Sequence, residues 1–350
     1  MTYFSKLAYA AALTLVTAQT INAETLSFTS SSPPDATPSK VIKEWADKLS
    51  EATNGDLEIE FYWQQSLSKL GDNLEAVADG LADMGVVVPA YSRQKLPLAY
   101  LSSTATGSGD PWVISKAWRD TRDAFPIIAE EEEAQNVKFL AIESIGPVIF
   151  VGNKFYKTPE DFDNATMRLS SHYAFAAQES GWNVNPARVQ SPETYTSLEK
   201  GTITGATTYA NQLFTYKLNE VTDYITRIGL GQHSNMYYIN LDVWNGLSDE
   251  HKKAIEDSLP ALNEAFAKAE IDESNRVFDE VQADAKYPMQ VYELSEEEQE
   301  VWSTALAPSY DNNIGKAVAV NPRATEVAEA FRSELKETAE TVTSDGYPWK

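Results

Sequence analysis

Short apolar strands alternate with amphipathic helices along this chain, and this alternation is the feature that most limits its fold. Residues 26–29 read as a first strand, and the helical spacing of Ile42, Trp45 and Leu49 predicts the helix that follows it. Strand and helix in turn are typical of an α/β protein with largely parallel sheets. We therefore predict an α/β fold, in which the sheets are mixed but mainly parallel.

One structural unit occurs twice. A helix ends at Gly80 and leads into a strand at 84–88, and a second helix ends at Gly201 and leads into a strand at 203–206. We interpret this as one unit in each of two lobes, the arrangement of a periplasmic binding protein. Because ligands bind beyond the carboxyl ends of strands in open parallel sheets, the segments that follow these two strands should face a shared cleft.

The N-terminus predicts export to the periplasm. Lys6 precedes a short apolar run over 7–18, and Ala23 offers a small residue for cleavage, so residues 1–23 read as a signal peptide. A helix within the core is the alternative. The remaining chain is predicted to place 24–147 mainly in lobe 1 and 148–240 mainly in lobe 2. Residues 241–350 should form a long helix that crosses both lobes, followed by C-terminal helices that pack on both.

Composition excludes several classes of function. The chain has no cysteine, which removes disulfides, thiolate metal sites and cysteine nucleophiles. A net charge of −24 argues against nucleic acid and anionic membranes as partners. His172, His233 and His251 lack the spacing of a helix-borne zinc site, and no nucleophile elbow or phosphate-binding glycine loop is present. We predict no enzyme, no cofactor and no metal, while a periplasmic enzyme that acts on an acidic sugar through paired carboxylates is the alternative.

Arg168 is the candidate anion anchor. It lies in a short apolar strand, and its planar guanidinium can bind a carboxylate or a sulfonate through two parallel hydrogen bonds. A structural ion pair explains the same pattern equally well. The candidate partners for that pair are Asp161, Asp163 and Glu179.

Taken together, motifs in this order resemble the DctP-type substrate-binding proteins of tripartite ATP-independent periplasmic (TRAP) transporters. The motifs are Thr53-Asn54-Gly55, Leu70-Gly71 with Glu75-Ala76-Val77, Gly80 with Asp83-Met84, Thr158 to Phe162 before Arg168, Glu193-Thr194-Tyr195 with Gly201, His233, and Asn240 with Trp244. The resemblance implies two lobes that close on a small organic acid, with Arg168 on its carboxylate. It also implies delivery to integral membrane subunits, and a receptor or an ABC transporter is the alternative partner.

Two departures from the family pattern narrow the expected ligand. Many members place a second arginine where this chain has Glu143-Ser144, and Thr208 stands where the family often has a ligand-binding asparagine. The resemblance then implies a ligand with one dominant anionic group, rather than a dicarboxylate or sialic acid held by two arginines.

A set of seven residues is predicted to bind the ligand, and the protein is predicted to be a monomer. The set is Arg168, Thr208, Pro89, Tyr91, Tyr209, Asn235 and Ser30. Other aromatic residues could stack on the ligand, although core packing explains them as well. These are Tyr173, Phe175, Trp182, Tyr237 and Tyr238.

Overall fold

The computed structural model describes residues 23–103, 107–189 and 193–350, so nearly all of the predicted signal peptide lies outside the described residues. The strands are β1 (Glu24–Thr29), β2 (Leu57–Tyr62), β3 (Met84–Val87), β4 (Val137–Ile145), β5 (Ile149–Gly152), β6 (Ala165–Arg168), β7 (Val184–Ala187), β8 (Gly205–Thr208), β9 (Tyr224–Arg227), β10 (His233–Asn240) and β11 (Gln290–Glu293). The helices are α1 (Thr37–Ala52), α2 (Asn73–Ala78), α3 (Pro111–Ala124), α4 (Pro126–Glu133), α5 (Ser171–Glu179), α6 (Thr194–Glu199), α7 (Gln212–Thr215), α8 (Leu241–Gly246), α9 (Asp249–Ala283), α10 (Glu296–Val320) and α11 (Ala324–Asp345). None of the helices within the described ranges has the length and apolar character needed to cross a membrane.

The strands form two mixed sheets, one in each lobe. The first sheet has the order β2-β1-β3-β10-β4, and the second has the order β11-β9-β5-β8-β6-β7. Parallel pairs join β1 to β2 and β3, β6 to β7 and β8, and β9 to β11. The antiparallel pairs all involve β10 or β5. The α/β fold with mixed, mainly parallel sheets is therefore confirmed.

Strand β10 belongs to the first sheet, although residues 148–240 were expected mainly in the second lobe. It pairs with β3 and β4, so the chain crosses to the second sheet after β4 and returns after β9. Its side chains alternate between the two faces of the sheet. Met236 and Tyr238 pack beneath α3 and α11, whereas Tyr237 and Ile239 pack beneath α1 and α9.

Helix α9 joins the cores of the two lobes, as the sequence predicts. Ser248 caps its N-terminus by accepting a hydrogen bond from the backbone N–H of His251. Phe266 packs in the first-lobe core with Ile42 and Trp45, whereas Val277 packs in the second-lobe core. A single helix of 35 residues therefore contributes to both lobes.

Two of the crossings between the sheets, the one after β4 and the one after β9, lie against each other. The N–H of Val148, after β4, donates to the carbonyl of Gly231, before β10, at 3.1 Å. A Cβ atom at Gly146 would lie 2.8 Å from the carbonyl oxygen of Gly109, so no larger residue fits without movement. Any rotation of one lobe relative to the other must bend the chain at these crossings.

Candidate functional site

Strand β6 ends at Arg168, and the neighbouring strand β8 helps to fix its guanidinium. Nε donates to the carbonyl of Val189 at 3.1 Å, and Nη1 donates to the carbonyl of Thr207 at 2.5 Å. Burial lowers the pKa of Arg168, and the opposing effects of Tyr209 and Tyr216 are smaller. The cation is therefore held at the carboxyl edge of the second sheet in surroundings that disfavour its charge.

The acidic residues considered as ion-pair partners are engaged elsewhere or exposed. One carboxylate oxygen of Asp161 accepts hydrogen bonds from the backbone N–H groups of Lys157 and Thr158. Asp163 binds the side-chain amides of two asparagines. Glu179 is exposed at the end of α5.

A cavity of about 80 Å³, here called the inner cavity, lies between the lobes. Ala90, Tyr100 and His233 come from the first-lobe side. Ser170, His172 and Tyr209 come from the second-lobe side. Ala90 follows β3 and Tyr209 follows β8, so the ends of these two strands meet at one space.

Two partly buried histidines line the inner cavity and are polar but uncharged. Burial lowers the pKa values of His172 and His233 to about 4, so both rings are neutral near pH 7. The Nδ1 atom of His172 lies 3.2 Å from the hydroxyl of Ser309. His233 Nε2 lies 3.1 Å from Asn235 Oδ1.

Tyr209 connects the inner cavity to Arg168. Arg168 is not among the described residues that line the cavity, but its charge acts on the Tyr209 hydroxyl. Burial raises the pKa of Tyr209 to about 12, and Arg168 opposes this rise. The phenol is therefore a neutral polar group that lines the cavity and lies within electrostatic reach of the cation.

A wider outer cavity of about 550 Å³ adjoins the inner one and shares Ala90 and Tyr100 with it. Tyr91 is 65% exposed and lines only the outer cavity of the two. Arg93 and Lys95 also line the outer cavity. The sequence therefore placed Tyr91 near the cleft, and the structure puts it at the mouth.

The other predicted ligand-binding residues make local hydrogen bonds. Thr208 donates to the side-chain carbonyl of Gln212 at 2.8 Å, and Ser30 accepts from the backbone N–H of Ser32. Pro89 is buried directly before the lining residue Ala90. None of these three is among the described residues that line the inner cavity.

Most of the candidate aromatic residues pack in the lobe cores. Tyr173 and Trp182 surround Trp302 in the second lobe, with ring centroids 6.1 and 5.5 Å from it. In the first lobe, Tyr237 packs on Phe266 at 4.6 Å. Core packing therefore explains their position, although Tyr173 also lines the inner cavity.

Glu143 and Glu270 are buried acidic residues that were not predicted as site residues. Glu143 accepts hydrogen bonds at 3.0 Å from both Asn235 Nδ2 and the Tyr237 hydroxyl. Burial is the main cause that raises the pKa values of both carboxyl groups. A signal for Glu143 was present, because it directly follows the apolar run Phe139–Ile142 of β4. Glu270 has no comparable signal within its acidic helix.

Two α/β lobes, two tight crossings and a polar cavity walled by both lobes define a two-lobed solute-binding protein. Residues 28–316 match the family DctP, described as bacterial extracellular solute-binding protein, family 7. The chain belongs to this family. It is therefore an extracytoplasmic binding protein and not an enzyme, which confirms the predicted class and compartment.

Relatives and a solved structure agree with this assignment. The chain is 24% identical to the C4-dicarboxylate-binding periplasmic protein DctP of Rhodobacter capsulatus, over 79% of this chain and 83% of the relative. It is 23% identical to the ectoine/5-hydroxyectoine-binding periplasmic protein UehA of Ruegeria pomeroyi, over 75% and 78%. The fold is similar to that of a TRAP periplasmic solute binding protein from Desulfovibrio salexigens, with a TM-score of 0.81, 20% identity and coverage of 92% and 97%.

Proposed function

We propose that this protein captures a small organic acid between its lobes and delivers it to the integral membrane subunits of a TRAP transporter. The observation that carries the proposal is the partly buried guanidinium of Arg168, held by the carbonyls of Val189 and Thr207. Burial disfavours its charge, so an anionic ligand that enters the cleft would stabilise it. Hydrogen bonds between a guanidinium and a carboxylate are roughly twice as strong as neutral ones.

The relatives support the proposed partners. Two of them are named for binding a C4-dicarboxylate and ectoine, and the similar structure is that of a TRAP periplasmic protein. A protein of this kind acts by presenting its loaded form to membrane subunits. We expect it to do so as a monomer.

The acidic residue at position 143 favours a ligand with a single anionic group, either a carboxylate or a sulfonate. Glu143 is 1% exposed and lies near a second buried acid, Glu270. A second carboxylate placed here would meet groups of the same charge in a poorly solvated environment, which is unfavourable. We therefore expect monocarboxylates to bind more tightly than dicarboxylates.

Ligand entry requires the lobes to separate. Small-molecule sites usually enclose about 300–1,000 Å³. The inner cavity is about 80 Å³, and Arg168 is not among the described residues that line it. We propose that the lobes rotate about the crossings at Gly146 and Gly231. The first of these crossings coincides with the boundary that we predict between lobe 1 and lobe 2, at 147/148.

A thermal-shift screen of organic acids, followed by isothermal titration calorimetry, tests the proposal. A ligand that binds only the folded chain raises the melting temperature by mass action. We expect monocarboxylates or sulfonates to raise it most. Dicarboxylates that bind far more tightly would contradict the proposed ligand class, and the absence of any binding acid would contradict the proposed function.

A further inference from the structure

Glu143 on β4 and Glu270 on α9 are 1% and 5% exposed, respectively. Within the described part of the chain, the Oε1 atom of each has no hydrogen-bond partner. A buried polar atom without a partner is costly, and native structures contain few of them. Two such oxygens on neighbouring acids suggest that a group from outside the chain completes the site.

Shared neighbours connect the pair to the inner cavity. Glu270 lines a narrow space together with Tyr209 and Asn211, and the side-chain oxygen of Asn211 also lacks a partner among the described residues. Tyr209 lines both this space and the inner cavity. Asn235 binds both Glu143 and His233, and His233 lines the inner cavity.

The groups that act on the pair are acidic or neutral. Glu143 and Glu273 are the charged groups that act on Glu270, while Asn235 and Tyr237 bind Glu143. Buried carboxyl groups are ordinarily compensated by a cation or by further hydrogen bonds. By contrast, Glu132 in the same lobe is paired with Arg122 at 2.7 Å.

We propose that Glu143 and Glu270 form a cation subsite, so that the preferred ligand is a small organic zwitterion. Its carboxylate would bind Arg168, and its ammonium or amidinium group would bind the two glutamates. This inference rests on the proposed function and specifies the class of acid. It also accounts for a glutamate at the position where many family members have arginine.

Proton release accompanies the binding of a cation at this site. Burial raises the pKa values of both Glu143 and Glu270, and the neighbouring acids Glu143 and Glu273 raise that of Glu270 further, so a protonated form of the pair is favoured over the doubly ionised one. A ligand cation favours the ionised form and expels that proton. The affinity for a zwitterion therefore increases with pH, and the heat of binding depends on the ionisation enthalpy of the buffer.

Pairs of ligands with the same shape distinguish the effect of the cationic charge on affinity from the effect of ligand shape. Glycine betaine and tert-butylacetate differ in having nitrogen or carbon at the branched centre, and pipecolate and cyclohexanecarboxylate differ in the same way within a ring. We expect the zwitterion of at least one pair to bind at least about tenfold more tightly than its partner, which has the carboxylate but no cation, because a buried charge pair is strongly coupled.

The outcomes distinguish the two proposals. If organic acids bind but no zwitterion binds better than its matched partner, the cation subsite is wrong and the proposed function stands. If no acid of either kind binds, both are wrong. If the affinity for organic acids increases with added sodium or calcium and does not depend on a cation in the ligand, the subsite holds an inorganic ion and the inference is overturned.

Glu143→Gln and Glu270→Gln keep the side-chain shape and remove the charge. We expect each to weaken binding of the zwitterion at least about tenfold, to abolish proton release and to leave binding of the matched anion, which lacks the cation, unaffected. Glu131→Gln is the control, since Glu131 is another acid whose pKa is raised by burial, to about 7, but it binds the backbone of Leu98 and Ala99. Parental affinity in both glutamine variants, with folding checked by circular dichroism, would refute the subsite.

Discussion

Arg168→Lys tests whether the guanidinium fork, and not charge alone, holds the ligand. Two nitrogens of Arg168 bind the carbonyls of Val189 and Thr207, which belong to different segments. A single lysine nitrogen cannot match both carbonyls and also present two parallel donors to an anion. Leaving one buried carbonyl unsatisfied costs about 1–3 kcal/mol, so we expect the free energy of unfolding to fall by that amount.

The same substitution should weaken ligand binding by about 10- to 100-fold, because one charge-assisted hydrogen bond contributes about 1.5–3 kcal/mol. Arg168→Ala also removes the charge, and we expect a loss of about 2–5 kcal/mol in binding free energy, which is about 30-fold to several thousand-fold in Kd. Isothermal titration with the tightest acid from the screen measures the affinities. Urea unfolding measures the stabilities.

Arg227→Lys is the matched control. Arg227 ends β9 in the same sheet, and its Nη1 pairs with Glu293 at 2.9 Å. It does not line the inner or outer cavity within the described residues, so its substitution should leave affinity unchanged. Full affinity in Arg168→Lys would refute the importance of the fork, and full affinity in Arg168→Ala would show that Arg168 is structural.

Three further substitutions test the packing and charge of the lobes. Arg122→Met leaves the carboxylate of Glu132, which is 0% exposed, without its cation. Urea unfolding should then show that the free energy of unfolding falls by about 3–5 kcal/mol. A decrease below about 1 kcal/mol would contradict a buried ion pair. Burial lowers the pKa of His172 to about 4, so the unfolded chain alone takes up this proton as the pH falls from about 6.5 to about 4, and stability decreases. His172→Gln should remove about 2 kcal/mol of the loss in unfolding free energy between about pH 7 and pH 4.5, and an unchanged pH profile would argue against a buried neutral ring. A Cβ atom at Gly205 would lie 2.7 Å from the carbonyl oxygen of Val151. Gly205→Ala should therefore lower the free energy of unfolding by about 1–3 kcal/mol and weaken ligand binding by moving Thr207. Gly71→Ala is the control and should have neither effect, because a Cβ atom there would meet no atom within 4 Å.

Local features of the chain predicted most of the secondary structure. The spacing of Ile42, Trp45 and Leu49 predicts α1, because residues three and four apart lie on one face of a helix. Ser248 marks the start of α9 for an equally local reason, since its hydroxyl satisfies a free backbone N–H group. The place of β10 was not predictable in this way. Its partners β3 and β4 are distant in sequence, and residues 233–240 alone do not select them.

The sequence likewise predicted only part of the candidate site. The chemistry of Arg168 and the two strand-end segments could be read from residue type and order. Tyr91 looked equivalent to Tyr209, yet Tyr91 is 65% exposed at the mouth, whereas Tyr209 is partly buried and interacts with Arg168. Side-chain type does not specify which way a loop turns, since that depends on what packs against it.

The sequence by itself determined the class of protein: an α/β chain without cysteine, with ordered family motifs and an arginine suited to an anion. Only the tertiary structure decided which charges matter. Glu143 and Glu270 are far apart in sequence and resemble many other acids of this chain, but packing of α9 against β4 buries both near the cleft. Burial removes the water that would screen and solvate a carboxylate. The electrostatic character of the site therefore depends on long-range packing, which local sequence does not encode.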